Sequence, residues 1–161
     1  MQPATDFGPA VSLDAESTLV SWSMAKSITH AAVGLLVADG RIDLDAPAPI
    51  EEWQGTPKSG IRIIDLLEMR PGLEFVEDYD DGDVSHCIAM LFGEGGADHA
   101  RYAAALPLLH PPGTVWNYSS GTTNIIARIV GDSVGGGREG LERFLRERLF
   151  EPAGMASAVP K

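Results

Sequence analysis

The chain holds one cysteine, Cys87, among 161 residues, and it is short of positive charge. A lone thiol forms no intrachain disulfide and leaves the redox compartment open. Its neighbour His86 brings no further spaced ligands, so the pair does not make a zinc site, and Cys87 reads as apolar helix filler. Lys and Arg number 12 against 23 Asp and Glu, for a formal net charge of -11. A surface this acidic argues against nucleic acid, whose phosphates need a basic partner, and against an anionic membrane surface. No apolar run approaches the length of a membrane span, and the N-terminus lacks a basic region followed by an apolar one. Export is therefore unsupported and the cytoplasm is favoured, with a signal lost from an incomplete N-terminus as the open alternative.

What the chain does have is 44% hydrophobic and 22% charged residues in about one domain's length, enough to bury a core. Residues 1–20 are rich in Pro, Gly, Asp and Ser and admit at most one strand. An apolar-periodic run, Ile28, Ala31, Ala32, Leu35 and Leu36, predicts a helix opening at Ser23 and stopping at Gly40. Leu44 to Pro49 reads as extended loop, because prolines 47 and 49 disfavour helix before them. Further helices are expected over 63–69, 84–91, 98–106, 123–134 and 141–150, the last two joined by Gly135, Gly136 and Gly137. That glycine run follows a helix rather than a strand, so it is not a phosphate loop. The picture is a mostly helical body with few credible strands and no internal repeats.

Chemistry concentrates first at Ser23 and Lys26, in the spacing S-x-x-K. Residues i and i+3 of a helix are neighbours, so a hydroxyl and an amine would lie within reach of each other at the helix start. Backbone N–H groups there also favour developing negative charge. The bland alternative is an ordinary serine cap with a nearby lysine. A second place is Tyr118-Ser119-Ser120, which opens a helix after the turn Pro112-Gly113-Thr114. A tyrosine there is ordinarily a packed aromatic with a bonded hydroxyl.

The acidic stretch Glu77 to Asp83 looks at first like a calcium loop. Counted from Asp78 the glycine falls one place early and the twelfth residue is Ala89 rather than Glu, so the register fails. A solvated loop with Asp83 capping the next helix is expected instead. His30, His86 and His99 share no metal spacing, and no metal or cofactor is implied.

Taken in order, these segments resemble the class C β-lactamase-like and penicillin-binding-protein-like serine hydrolases, which include esterases and the 6-aminohexanoate-dimer hydrolases. The carriers are Ser23-Met24-Ala25-Lys26-Ser27, then Ile61 to Met69 with Pro71-Gly72-Leu73, then Pro112-Gly113-Thr114 with Tyr118-Ser119-Ser120, and Leu149-Phe150-Glu151-Pro152 with Ala153-Gly154-Met155. The resemblance covers nearly the whole chain. It implies cleavage of a small-molecule amide, ester or lactam through an acyl-enzyme on Ser23, with Lys26 as base and Tyr118 as base or proton relay. It also implies substrate contacts at Ser120 and at Tyr79, the latter in a segment that closes over the substrate in the amide-hydrolysing branch. A lysine is protonated at neutral pH, so that role requires burial or a nearby positive group to lower its pKa.

Three departures stand out. Ser120 occupies a position where many relatives have asparagine. The Lys-Thr-Gly-like strand that supplies an oxyanion donor should follow Tyr118 and does not; Lys58-Ser59-Gly60 matches by letter on the wrong side of it. The strands that flank the helical part in relatives are mostly absent as well. The expected fold class is thus mainly α, the helical part of the β-lactamase/DD-peptidase α/β fold, as one partial domain over 1–161. A truncated fragment with little activity alone is expected, and self-association through the apolar face the sheet would cover. The competing reading is a non-catalytic binding domain that retains the fold.

Overall fold

The computed structural model describes residues 14, 17, 19–79 and 85–160. The strand allowed within the first 20 residues falls largely outside the described residues, and Leu19 to Ser21 form none. Asp83, expected to cap a helix, also lies outside them.

Among the described residues six α-helices run in chain order: α1 (Ala25–Ala38), α2 (Ile63–Leu67), α3 (His86–Phe92), α4 (His99–Ala105), α5 (Ser120–Val134) and α6 (Gly137–Leu145). Among the described residues there is no sheet; extended pairing is confined to the isolated bridges Pro47 with Arg62 and Leu73 with Leu108. Among the described residues the fold is mainly helical, as the sequence predicts.

Polar caps decide several helix starts. Ser85 accepts from the Ile88 N–H at 3.3 Å, Asp98 from Arg101 at 2.9 Å and Ser119 from Thr122 at 2.9 Å. Each satisfies an N–H that the first helical turn cannot pair internally. α2 begins where the Arg62 N–H donates to Asp65 Oδ2 at 3.0 Å. At the other end of α1, Gly40 adopts φ 67° and donates to the Val37 carbonyl at 2.9 Å, the turn its lack of a Cβ permits.

The core is organised around α5, which packs against α1, α2, α4 and α6. Ile125, Ile126, Ile129 and Val130 are buried along it, and α1 contributes Ala32, Val33 and Leu36. Fully burying one such branched side chain stabilises by roughly 1.5–3 kcal/mol relative to exposure. Trp53 is sealed beneath α4, its Nε1–H donating to the Ala104 carbonyl at 2.9 Å. The remaining apolar residues of α1 divide: Ile28 is half-buried, whereas Ala25 and Val37 are exposed.

Helix ends differ from the sequence expectation: α5 begins at Ser120, three residues before the expected Thr123, and α2 and α6 depart as well. α2 stops at Leu67 because Met69 takes φ 56°, turning the chain toward Pro71. The helix expected over 141–150 begins four residues earlier and widens into a π-type turn over Arg146–Phe150. That turn keeps Phe150 in the core while both terminal guanidinium nitrogens of Arg148 reach Asp39, at 2.9 and 3.0 Å.

Candidate active site

Ser23 stands in a short 3-10 turn, Trp22–Met24, that runs directly into α1. The Met24 N–H closes it on the Ser21 carbonyl at 3.0 Å, and Trp22 is held at φ 46°. A bulky residue in that region stores of order 1 kcal/mol or more of strain, immediately before the serine. Ser23 is exposed between exposed Trp22 and Met24, and Lys26 is half-buried in the first turn of α1.

The one-turn spacing brings Lys26 Nζ to 2.9 Å from Ser23 Oγ. From 95 residues away, Tyr118 Oη lies 2.9 Å from the same oxygen. Lys26 Nζ also donates to Ser120 Oγ at 3.0 Å and sits 4.9 Å from the centre of the Tyr118 ring. Four residues singled out in the sequence, Ser23, Lys26, Tyr118 and Ser120, therefore form one hydrogen-bonded cluster.

Loop ties place Tyr118. Arg70 and Gly113 exchange bonds: the Gly113 N–H donates to the Arg70 carbonyl at 2.8 Å, and Arg70 Nη1 donates to the Gly113 carbonyl at 3.0 Å. The Asn117 N–H donates to the Met69 carbonyl and its Nδ2 to the Phe75 carbonyl, both at 2.8 Å. Beneath this, Asp65 is buried and grips the Arg62 guanidinium at 3.0 and 3.2 Å, which holds that guanidinium protonated above its ordinary range. Ser119 is then the buried cap of α5, so Tyr118 precedes the helix and Ser120 opens it. Gly121 lets the first turn of α5 lie against Phe75; a Cβ there would fall 2.4 Å from the Phe75 ring.

One residue of the cluster was not singled out in the sequence. Glu77 Oε2 accepts the Ser120 N–H at 2.6 Å, and Oε1 accepts the Ser120 hydroxyl at 2.8 Å and the Tyr79 hydroxyl at 3.0 Å. Only the chain letters Glu77-Asp78-Tyr79 hinted at it. A carboxylate in an acidic, aperiodic loop carries no sign that it will reach a helix N-terminus 43 residues on. Tyr79 thus joins the cluster through Glu77. Its ring is exposed, while its hydroxyl also meets Cys87 Sγ at 3.5 Å. The single phenol proton is shared between two acceptors, Glu77 Oε1 and Cys87 Sγ. The Cys87 bond first, then burial and the Glu77 carboxylate, push the Tyr79 phenol well above the ordinary tyrosine range.

Lys58-Ser59-Gly60 forms a separate 3-10 turn, Pro57–Gly60, in which Lys58 Nζ donates to the Ala104 carbonyl at 2.8 Å and burial pushes the amine's pKa down. Among the described residues, no group of three or more His, Cys, Asp and Glu converges as a metal site.

A hydroxyl approached by an amine and a phenol on a helix start is an arrangement competent for nucleophilic acyl transfer. The β-lactamase family model matches residues 4–159, so the chain belongs to the β-lactamase family. Among solved structures it is similar to a Bacillus anthracis protein named as a candidate 6-aminohexanoate-dimer hydrolase, with 25% sequence identity and a TM-score of 0.63. That match covers 79% of this chain and 36% of the other, so the chain spans about a third of that protein's length. No curated protein sequence matches it.

Proposed function

We propose that this chain carries the nucleophile, base and proton relay of a serine hydrolase that cleaves a small-molecule amide, ester or lactam. The observation that carries the reading is the convergence of Lys26 Nζ and Tyr118 Oη on Ser23 Oγ, each at 2.9 Å. The neutral Lys26 amine takes the Ser23 proton as Oγ bonds to the substrate carbonyl carbon. Tyr118, replenished from Lys26, protonates the leaving nitrogen or oxygen as its bond to carbon breaks. Water then attacks the Ser23 ester by the reverse proton path and frees the acid. The Ser23 N–H, at the start of the helix, is the oxyanion donor available from this segment. Tyr79 and Ser120 face substrate in this reading.

Turnover by this chain alone is expected to be small, because the proposed activity belongs to a larger architecture, whose length this chain spans only in part. Removal of one oxyanion donor typically lowers rates by roughly a hundredfold or more. Phosphonylation of Ser23 asks less, since it needs a nucleophile and its base. The test is labelling with a fluorophosphonate and mapping of the adduct by mass spectrometry. The reading expects an adduct on Ser23 that is lost in Ser23→Ala and slowed in Lys26→Met. A folded protein with no adduct, or one whose labelling ignores Lys26, overturns it and favours a non-catalytic binding domain. A further part of the proposal is self-association through the apolar face of α1 that flanking strands cover in relatives, on which Ala25 and Val37 are exposed while Ala32, Val33 and Leu36 are buried. A monomer mass independent of concentration in sedimentation would remove that part.

A further inference from the structure

From the bonds around Ser120 we infer that Glu77 is a positioning residue of this site: it fixes the direction of the hydrogen-bond chain that ends at Ser23. The inference rests on the reading of Ser23 as nucleophile and Lys26 as its base. An ionised carboxylate can only accept. Glu77 takes the Ser120 N–H at 2.6 Å through one oxygen and the Ser120 hydroxyl proton at 2.8 Å through the other. Ser120 Oγ, having given its proton to Glu77, can only accept from Lys26 Nζ, 3.0 Å away.

The consequence reaches the nucleophile in one further step. A neutral amine has two N–H bonds and one lone pair. With an N–H committed to Ser120, the lone pair is free to turn to Ser23 Oγ at 2.9 Å and receive its proton. Tyr118 then donates to Ser23 Oγ from the other side, also at 2.9 Å. All protons in the chain Tyr118, Ser23, Lys26, Ser120, Glu77 point one way, toward the carboxylate. Were Ser120 free to rotate, its hydroxyl could donate to the amine and occupy the lone pair that the reaction requires. The Tyr79 hydroxyl, 3.0 Å from Oε1, adds a second donor that holds the carboxylate in place.

The decisive substitution is Glu77→Gln, which keeps shape and removes the acceptor-only character. Its amide oxygen still satisfies the Ser120 N–H, so its NH2 faces the Ser120 hydroxyl and turns that group toward Lys26. A capping role for Glu77 would act through the backbone N–H, which Ser120→Ala retains; a directing role acts through the hydroxyl, which Ser120→Ala removes. The experiment measures fluorophosphonate labelling of Ser23 in the full chain, separating the maximal rate from the half-saturating concentration. Near-UV circular dichroism of each variant reports folding.

Glu77→Gln should lower the maximal rate roughly tenfold or more, within the range a misdirected proton transfer forfeits, with the half-saturating concentration unchanged. In a Ser120→Ala background the same substitution should have no further effect. Wild-type labelling at Ser23 with an equal Glu77→Gln effect in both backgrounds, or none in either, overturns the directing role and leaves the nucleophile assignment standing. Folded wild-type protein that takes no label at Ser23 overturns both. If Glu77→Gln fails to fold, the Ser120→Ala variant alone decides: a maximal rate equal to wild type means that the hydroxyl directs nothing.

Discussion

Asn117 spans two loops, giving its backbone N–H to the Met69 carbonyl and its side-chain amide to the Phe75 carbonyl, each at 2.8 Å. The first bond fixes the approach to Tyr118; the second ties it to the loop that carries Glu77. Asn117→Ala removes one net hydrogen bond, which contributes about 0.5–1.5 kcal/mol. Ser23 labelling should slow while urea unfolding shifts only by that amount. Unchanged labelling with the stability loss would show that the tie is structural only.

Gly121 predicts a steric effect with a definite partner. An alanine Cβ would lie 2.4 Å from one Phe75 ring carbon and 2.8 Å from Ala103 Cβ. Overpacking of this kind costs about 1–3 kcal/mol. Thermal unfolding of Gly121→Ala should show that loss, and the loss should shrink in a Phe75→Leu background, where the ring is gone. Additive losses would mean that the clash is relieved elsewhere.

The three tryptophans should be distinguishable by quenching. Trp53 is 1% exposed, whereas Trp22 and Trp116 are 74% and 65% exposed. Acrylamide should reach two of them, leaving a protected fraction that vanishes in Trp53→Phe. That variant also removes one donor from the Ala104 carbonyl, but Lys58 Nζ still reaches it at 2.8 Å. Its hydrogen-bond loss should therefore stay near 1 kcal/mol and grow in a Lys58→Met background, where the carbonyl is left bare. Equal losses in both backgrounds would remove the sharing of that acceptor.

Tyr79 sets an alkaline limit. Its phenol is raised above the ordinary value of 10.0, chiefly by the Cys87 bond and then by burial and Glu77. The unfolded chain releases this proton near pH 10 and the folded chain holds it, so unfolding releases a proton. This contribution is fully present below about pH 10 and is lost as pH rises from there toward the folded value. Ultraviolet titration should show a late-ionising tyrosine that disappears in Tyr79→Phe. One other phenol bears on the assignment: Tyr102 is also raised, by burial first and then by Glu94, and must remain late in that variant.

Much of the helical layout was legible because its signals are local. The period of Ile28, Ala32, Leu35 and Leu36 announces α1, Gly40 ends it, and the ordered segments around Ser23, Ile61 to Leu73 and Tyr118 point to the family that the profile match bears out. Helix ends were read less well: the φ 56° of Met69 and the π-type turn at Arg146–Phe150 answer to packing, which no local residue pattern encodes.

The sequence by itself determined which groups are available and in what local spacing. Ser23 and Lys26 meet because three residues make nearly one helical turn, a relation any helix there would impose. Only the tertiary structure decided that Tyr118 comes to the same oxygen and that Glu77 closes on the first residue of α5. Those contacts join positions 95 and 43 residues apart, and they depend on Asn117, Arg70 and Gly121 holding separate loops at fixed distances. Short-range spacing follows from backbone geometry alone, whereas a meeting of distant loops exists only when the core packs.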